Sequence, residues 1–290
     1  RLDVTNYKYD NLLSDGTTKS DGTSCVNNNA DSVACLYQRP ADRSDKFNNT
    51  SSKLGFNYLL GPQLASFGGW SQGFRAPQTT DLYRLQQHQQ SGQIDSEQLE
   101  SSEIGLRGLS DQLSFEVVYY DMTKKNVFFR DAKGLNVTDG KTSHRGLELS
   151  ATYDISRNFD LAINYNYGRH RYEFDRPVSG VVKGNEVDTA PRNFGNIRVA
   201  WLPSASSRLE LEWLYVGQYY LDPANKHQYD GHSLLQLRGS LKIANNFSLF
   251  ARIENLTDQQ YASRADYAFG SYRFFGGQGR AIHLGISKVF

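Results

Sequence analysis

The chain has 290 residues, 38% of them apolar and 22% charged, and a formal net charge of +1. Near-neutrality leaves no electrostatic case for nucleic acid or for an acidic partner, and the absence of any uncharged apolar run of about 18 residues excludes a helical membrane span. Eighteen Tyr and sixteen Phe against a single Met fit a β-rich chain with aromatic girdles better than a helical bundle.

The chain opens on a strand already under way, with Leu2, Val4, Asn6 and Lys8 alternating with Asp3, Thr5, Tyr7 and Tyr9. No signal peptide precedes it, so it reads as processed or as a fragment. Cys25 and Cys35, the only thiols, flank a stretch rich in Asp, Asn, Ser and Ala. A disulfide closing a small surface loop, in an oxidising compartment, is favoured over two free thiols. No His lies near them, which argues against a metal there.

Strands are predicted near residues 1–9, 46–60, 63–75, 99–110, 112–129, 143–155, 158–172, 191–203, 206–220, 232–244, 247–256 and 279–290, about twelve in all. Tight connections fall at Gly61-Pro62, Ser110-Asp111, Ser156-Arg157, Ser204-Ala205-Ser206 and Asn245-Asn246. Long ones fall near 10–45, 76–98, 130–142, 173–190, 221–231 and 257–278. Alternating short and long connections mark an up-and-down antiparallel barrel whose ends face different compartments, with short turns on the periplasmic side.

The strands themselves are two-faced. Leu209, Leu211, Trp213 and Tyr215 alternate with Glu210, Glu212 and Leu214; Phe159, Leu161, Ile163, Tyr165 and Tyr167 alternate with Asp160, Ala162, Asn164 and Asn166; Leu147, Leu149, Ala151 and Tyr153 alternate with Gly146, Glu148, Ser150 and Thr152. Runs of about ten such residues suit a tilted membrane-spanning strand, lipid outside and a polar lumen inside. A soluble β-sandwich is the rival, but it prefers shorter strands and has no use for charges on one face. Glu116, Glu148, Asp160, Arg198, Glu210, Glu212, Arg238, Arg252 and Glu254 are predicted to point inward, where they must be paired or solvated. That many charges suit a water channel or a lumen filled by a polar plug, and twelve strands sit awkwardly between the small filled barrel and the large plugged one.

Several segments carry a resemblance. Trp70-Ser71-Gln72-Gly73-Phe74-Arg75-Ala76-Pro77 is followed by Asp81-Leu82-Tyr83; Asp95-Ser96-Glu97-Gln98-Leu99-Glu100-Ser101-Ser102-Glu103-Ile104-Gly105-Leu106-Arg107 comes next; then Arg145-Gly146-Leu147-Glu148, Ala190-Pro191-Arg192-Asn193, and Ile253-Glu254-Asn255-Leu256-Thr257-Asp258-Gln259-Gln260-Tyr261. In that order they resemble the barrel motifs of TonB-dependent outer-membrane receptors, with Asp-Ser-Glu where Lys-Pro-Glu is commoner. The tail, with Ile282, Leu284, Ile286 and Phe290 on one face and Lys288 interrupting, resembles the closing strand of outer-membrane barrels.

The resemblance implies that residues 1–290 are the C-terminal part of a 22-stranded barrel, with the signal peptide, TonB box, plug domain and about ten strands lying before Arg1. It implies no enzyme, no covalently bound cofactor, a bacterial outer-membrane location, and as partners TonB (reached through the plug), lipid and a transported ligand. That ligand would most often be a ferric siderophore. Aromatic and cationic residues of the long loops are then candidates for holding a planar or anionic iron chelate: Tyr83, Arg84, His88, Arg171, Tyr172, Tyr219, Tyr220, Tyr229, Tyr267, Tyr272 and Arg273.

Haem uptake is an alternative, because receptors of that kind place an axial His between the Phe-Arg-Ala-Pro box and an Asn-Pro-Asn-Leu box. His88 lies in that interval, but Gln93-Ile94-Asp95 stands where the second box would begin. A passive twelve-stranded channel and an outer-membrane hydrolase are further alternatives. His144, His170, His227, His232 and His283 are scattered with no nucleophile motif around them. His227 and His232 with Asp222 and Asp230 could host a metal, but such loop residues are more often solvated, so no metal centre is expected. The triplets Asn136-Val137-Thr138 and Asn255-Leu256-Thr257 match a glycosylation acceptor by chance.

Overall fold

The computed structural model describes residues 1–11, 43–82, 94–130, 136–244 and 246–288. Its strands are β1 (Leu2–Asn11), β2 (Arg43–Gly61), β3 (Leu64–Arg75), β4 (Glu97–Leu109), β5 (Leu113–Arg130), β6 (Asn136–Ser156), β7 (Phe159–Tyr172) and β8 (Asn193–Ser204). They continue with β9 (Ser207–Val216), β10 (Tyr219–Tyr220), β11 (Gln228–Tyr229), β12 (His232–Ala244), β13 (Phe247–Glu254), β14 (Ala262–Ala268), β15 (Ser271–Gly276) and β16 (Ala281–Lys288). Twelve of them make one open antiparallel sheet in the order β1-β2-β3-β4-β5-β6-β7-β8-β9-β12-β13-β16, with the strands following one another in sequence order. The remaining four form two hairpin ribbons, β10-β11 and β14-β15, in the long connections.

The register puts the apolar set on one face throughout. Leu161, Val199, Leu211, Leu237, Ile253 and Ile282 are successive cross-strand partners from β7 to β16, so a single row of aliphatic side chains crosses six strands. Leu211 is 43% exposed while Glu212 beside it is 5% exposed. The greasy face is thus the uncovered one, opposite to a water-soluble sandwich and as required of a wall against hydrocarbon. Just above this band, Asp121, Arg145 and Arg169 are register partners on the same outer face, with Arg145 and Asp121 ion-paired at 2.8 Å. Outward charges there mark the edge of the apolar belt.

At the tight-turn end, short polar side chains close the hairpins. Ser110 Oγ accepts from the Leu113 amide at 3.1 Å, Asn158 Nδ2 donates to the Leu202 carbonyl at 2.6 Å, and the Ser204, Ser206 and Ser207 hydroxyls bond one another. The predicted strands and tight turns match these elements within a few residues. At the long-loop end the strands run differently from expectation. Of the stretch 130–142, expected as a loop, Arg130 and residues 136–142 continue β5 and β6 past the apolar belt. Asp139 there is tied to Arg176 and Thr142 is buried in a cavity wall, so specific contacts rather than a lipid-facing period hold this part of the sheet. The strand expected over 206–220 stops at Val216, where the Gly217 amide turns to the Asn193 carbonyl at 2.7 Å, and Tyr219–Tyr220 pairs instead with Gln228–Tyr229.

Candidate ligand-binding mouth and lumen wall

The inward face is a connected polar network. Ser150 Oγ donates to Asn164 Oδ1 (2.9 Å), Asn164 Nδ2 to Asn196 Oδ1 (3.0 Å), and Asn196 Nδ2 to Glu212 Oε1 (2.5 Å). Arg238 reaches Glu212 at 2.5 Å and Glu210 at 3.2 Å, while Arg208 reaches Glu210 and Asp160, each at 2.9 Å. Arg252 completes the series against Glu254 at 2.7 Å. Asp160, Glu210, Glu212 and Glu254 each meet a guanidinium, which offsets the cost of bringing charge to the inner face, while Glu148 accepts the Asn166 amide at 3.1 Å.

The segments that carry the family resemblance serve as joints at the rim. Arg75, from the Gly-Phe-Arg-Ala-Pro run, pairs with buried Glu97 at 2.8 Å; Glu97 also meets Lys124 at 3.3 Å and accepts the Phe128 amide at 3.1 Å, which ties β3, β4 and the extension of β5 together. Gly146 leaves room for the buried Tyr120 ring, whose hydroxyl would collide with any Cβ there. Arg192 Nε donates to Glu186 at 2.6 Å, and Asn193 accepts the Tyr165 hydroxyl at 2.6 Å. Asn255 is buried in a left-handed turn (φ 48°); its amide donates to the Gln259 and Gln278 carbonyls while its oxygen accepts the Gln259 amide. Asp258 then accepts the Arg280 amide at 2.8 Å, clipping the exit of β13 to the entry of β16. A glycan on Asn255 is incompatible with this burial.

Three long connections interlock above the wall as a crown. Tyr219, Leu221, Ala262 and Ala265 form a small apolar core with Tyr229 and Tyr267 packed against it. The Ala265 amide donates to the Tyr219 hydroxyl (3.2 Å), and the Ala262 amide to the Tyr229 hydroxyl (3.1 Å). Burial raises the Tyr219 hydroxyl above its ordinary pKa, with the Ala265 amide opposing. His227 lies flat on Tyr267 with centroids 3.5 Å apart and meets the edge of Tyr272. Its Nδ1 is 3.0 Å from Asp222, which also accepts the Lys226 and His227 amides, so this pair builds a turn. Asn225 spans to both the amide and the carbonyl of Glu186, joining the 173–192 connection to the 217–231 one. Arg273 and Arg264 both hold Asp266, and the Arg273 hydrogen bond keeps that carboxyl below its usual range.

Beside the crown, where β5, β6 and β7 rise past the belt, a cavity of about 480 Å³ is lined by Lys124, Thr142, His144, Tyr172, Phe174 and Asp188 among others. Tyr172 donates to Asp188 at 2.5 Å; burial, then that carboxylate, raise its hydroxyl well above the ordinary value. His144 and His170 are register partners one residue beyond the outward Arg145–Arg169 pair, with their Nδ1 atoms 2.8 Å apart. Burial, helped by His170 and Lys124, lowers His144 to about 4, and burial lowers His170 as well. Both rings are therefore neutral at pH 7.

Of the eleven residues expected to contact ligand, Tyr219, Tyr229, Tyr267, Tyr272 and Arg273 come together in the crown. Tyr220 sits beside them against Gln228 and lines a small pocket of about 90 Å³ with Arg192 and Glu186. Tyr172 lines the larger cavity; Arg171 projects outward and bridges to Glu186 through its backbone. Tyr83, Arg84 and His88 lie outside the described residues, as do Cys25, Cys35 and Phe290. His227 and His232 face different partners, His232 bonding the Tyr229 hydroxyl at 3.0 Å, and no group of three metal-ligating side chains occurs among the described residues. Lys124, Thr142 and the pairing of His144 with His170 do not stand out in the sequence, although equal distances from Arg157 in the turn place the two imidazoles opposite each other.

An uncovered apolar face, a charged inner face and alternating short and long connections define a wall of a transmembrane antiparallel β-barrel. The family "TonB dependent receptor-like, beta-barrel" matches residues 1–256, and the chain belongs to it. It is a protein of the bacterial outer membrane. Among curated relatives it is 23% identical over 254 residues to the vitamin B12 transporter BtuB of Photobacterium profundum, covering 81% of this chain and 40% of that protein. Among solved structures it superposes on the ferric-catecholate import receptor Fiu from K12 E. coli with TM-score 0.76 at 16% identity, over 100% of this chain and 41% of that one. The ferric yersiniabactin uptake receptor FyuA from Yersinia pestis gives TM-score 0.69 at 17% identity, over 86% and 39%. The chain thus spans about two fifths of the length of these relatives.

Proposed function

We propose that this chain supplies the C-terminal wall and extracellular crown of a receptor that imports a ferric siderophore with energy delivered through TonB. The observation that carries the reading is the pairing of a lipid-facing wall with an interlocked, aromatic- and cation-rich crown over a polar lumen. Tight capture from a dilute medium needs a preorganised mouth, and release into the lumen needs work done on something that fills it. No catalytic group is required. The lumenal network of Asp160, Arg208, Glu210, Arg238 and Glu212 is the surface on which a polar plug would rest. Tyr172, Tyr220, Tyr272 and Arg273, with Tyr83, Arg84 and His88 of the connection between β3 and β4, are the residues proposed to meet the chelate.

Vitamin B12 is the second reading, favoured by the name of the curated relative. The test is uptake of radiolabelled iron chelates, haem and cobalamin by cells whose only receptor of this class is the intact protein, with and without TonB. TonB-dependent uptake of a ferric chelate is the expected result. Uptake confined to cobalamin would move the reading to the second, uptake confined to haem would move it to His88, and solute passage indifferent to TonB would overturn active transport altogether.

A further inference from the structure

We propose that Arg145, Arg169 and Arg171 form an outward-facing clasp for the phosphate groups of a glycolipid headgroup in the outer leaflet. The three sit on adjoining strands at the long-connection end of the wall. Arg145 of β6 and Arg169 of β7 are register partners, and Arg171 follows on the same face of β7, opposite Ser143. Strand alternation gives their direction: Leu147 and Tyr167 are the partners two residues nearer the belt on that face, and Leu147 is 41% exposed. Partners across a ladder stand about 5 Å apart and next-but-one residues about 6.6–6.8 Å apart, so one or two phosphates can span the three guanidiniums.

The charge balance singles this cluster out. Like charges directly across a ladder destabilise it, and here two arginines face each other. Arg145 is held by Asp121 at 2.8 Å, Glu173 accepts the Ser143 hydroxyl at 2.6 Å, and Glu186, whose backbone bridges to Arg171, pairs with Arg192. Among the described residues that leaves Arg169 and Arg171 without a carboxylate partner. Further along the same face Lys125 and Lys141 are again register partners, and of the two only Lys125 is paired among the described residues, with Glu100 at 3.1 Å. Arg169 Nε donates to the Tyr167 hydroxyl at 2.7 Å and its guanidinium carbon lies 5.9 Å from that ring's centre. The tyrosine thus anchors the side chain while the terminal nitrogens stay available to an anion. Arg145 keeps 64% of its side-chain surface exposed in spite of its ion pair. Tyrosine at the belt's edge with arginine just beyond it matches hydrocarbon giving way to headgroup. At that depth the anions within reach are lipid phosphates, and the planar fork of a guanidinium suits them. The inference uses only the wall's place in the outer membrane, so it is independent of which nutrient the receptor imports.

The test uses the intact receptor refolded into lipid-free detergent, with a chelator present so that no divalent ion bridges phosphate to the nearby carboxylates. It is offered lipid A carrying both phosphates, the same lipid A dephosphorylated, or inorganic phosphate. Retention is read by native mass spectrometry and by the midpoint of thermal unfolding. The wild type is expected to retain the phosphorylated lipid and to unfold at a higher temperature with it, and to show neither effect with the other two probes. The Arg169→Gln, Arg171→Gln double variant, checked for a folded barrel by heat-modifiable gel mobility, is expected to bind that lipid about tenfold more weakly. Should it not fold, the wild type's discrimination between the two forms of lipid A decides. The clasp is overturned if dephosphorylated lipid A is retained equally, since acyl chains alone would then suffice. It is equally overturned if inorganic phosphate raises the midpoint as much as the lipid does, if the folded double variant matches the wild type, or if the wild type retains no lipid.

Discussion

The wall and the crown satisfy their backbones by opposite means. In the wall, strands pair in sequence order, the ladder is continuous, and side chains only decide which face meets lipid. In the crown, segments more than 40 residues apart meet directly, as Tyr219 does the Ala265 amide, and tyrosine hydroxyls take over the accepting role of a missing ladder. The wall is held by repetition and should tolerate local change as long as the period survives. The crown combines main-chain links with a few particular side-chain contacts, and it should respond to single atoms only at those contacts.

The largest effect should come from breaking the wall's one rule. Leu211→Arg, in the middle of the aliphatic row, is expected to cost about 2–4 kcal/mol in reversible unfolding from lipid vesicles, and Leu237→Arg a similar amount, because a charge would face hydrocarbon. Arg238→Met tests the inner face. It strips the guanidinium shared by Glu210 and Glu212 and should cost about 1–3 kcal/mol in the same assay, with Arg208 softening the loss on Glu210. A smaller cost would mean that lumenal water already screens the network.

Gly231→Ala probes the seam between the regions. Gly231 has φ 82°, and a Cβ would fall on the backbone of Val216 and Gly217. A cost of about 1–3 kcal/mol, seen as faster protease cleavage of the crown with wall unfolding unchanged, would show the two regions to be separable; a matching loss in the wall would show that they are one cooperative unit. The crown's pH response sharpens the same point. The Asp266 carboxyl is depressed by Arg273, so its contribution is complete above the unfolded value of 3.8 and disappears as pH falls through the lower folded value. Amide exchange of β14–β15 should accelerate over that acid range, and Asp266→Asn should abolish the pH dependence. Smallest, and opposite in sign, is the hairpin tip. Phe269 and Gly270 both have positive φ (54° and 78°), the geometry of a type I′ turn, and Phe269 is 96% exposed. Phe269→Asn should stabilise the hairpin by about 0.5 kcal/mol, measured by the same exchange.

The contrast also explains what is legible in the sequence. The wall obeys a period of two, so Leu209, Leu211 and Trp213 against Glu210 and Glu212 reveal both the strand and its orientation before any coordinates. The paired Arg75 and Glu97 show why two separate motifs belong to one architecture, but their contact is invisible in a linear reading. Crown contacts have no period at all. Tyr219, Tyr229 and Tyr267 can be picked out as loop aromatics, yet only folding shows that they pack on one another and so have part of their surface occupied before any ligand arrives. The extensions of β5 and β6 escape a periodic reading for a related reason: past the belt no face meets lipid, and contacts such as the Phe128 amide to Glu97 and the Asn126 amide to the Ser96 carbonyl leave no period.

Many of the ties that assemble the crown run from main chain to main chain: the Thr189 amide to the Tyr220 carbonyl, Tyr267 to Leu221, Leu221 to His227, and Gly277 to Tyr261. Such links are blind to side-chain identity. A lineage could therefore exchange many of the groups that greet an incoming nutrient while keeping the doorway's outline, and so alter its diet by point mutation without having to learn to fold anew.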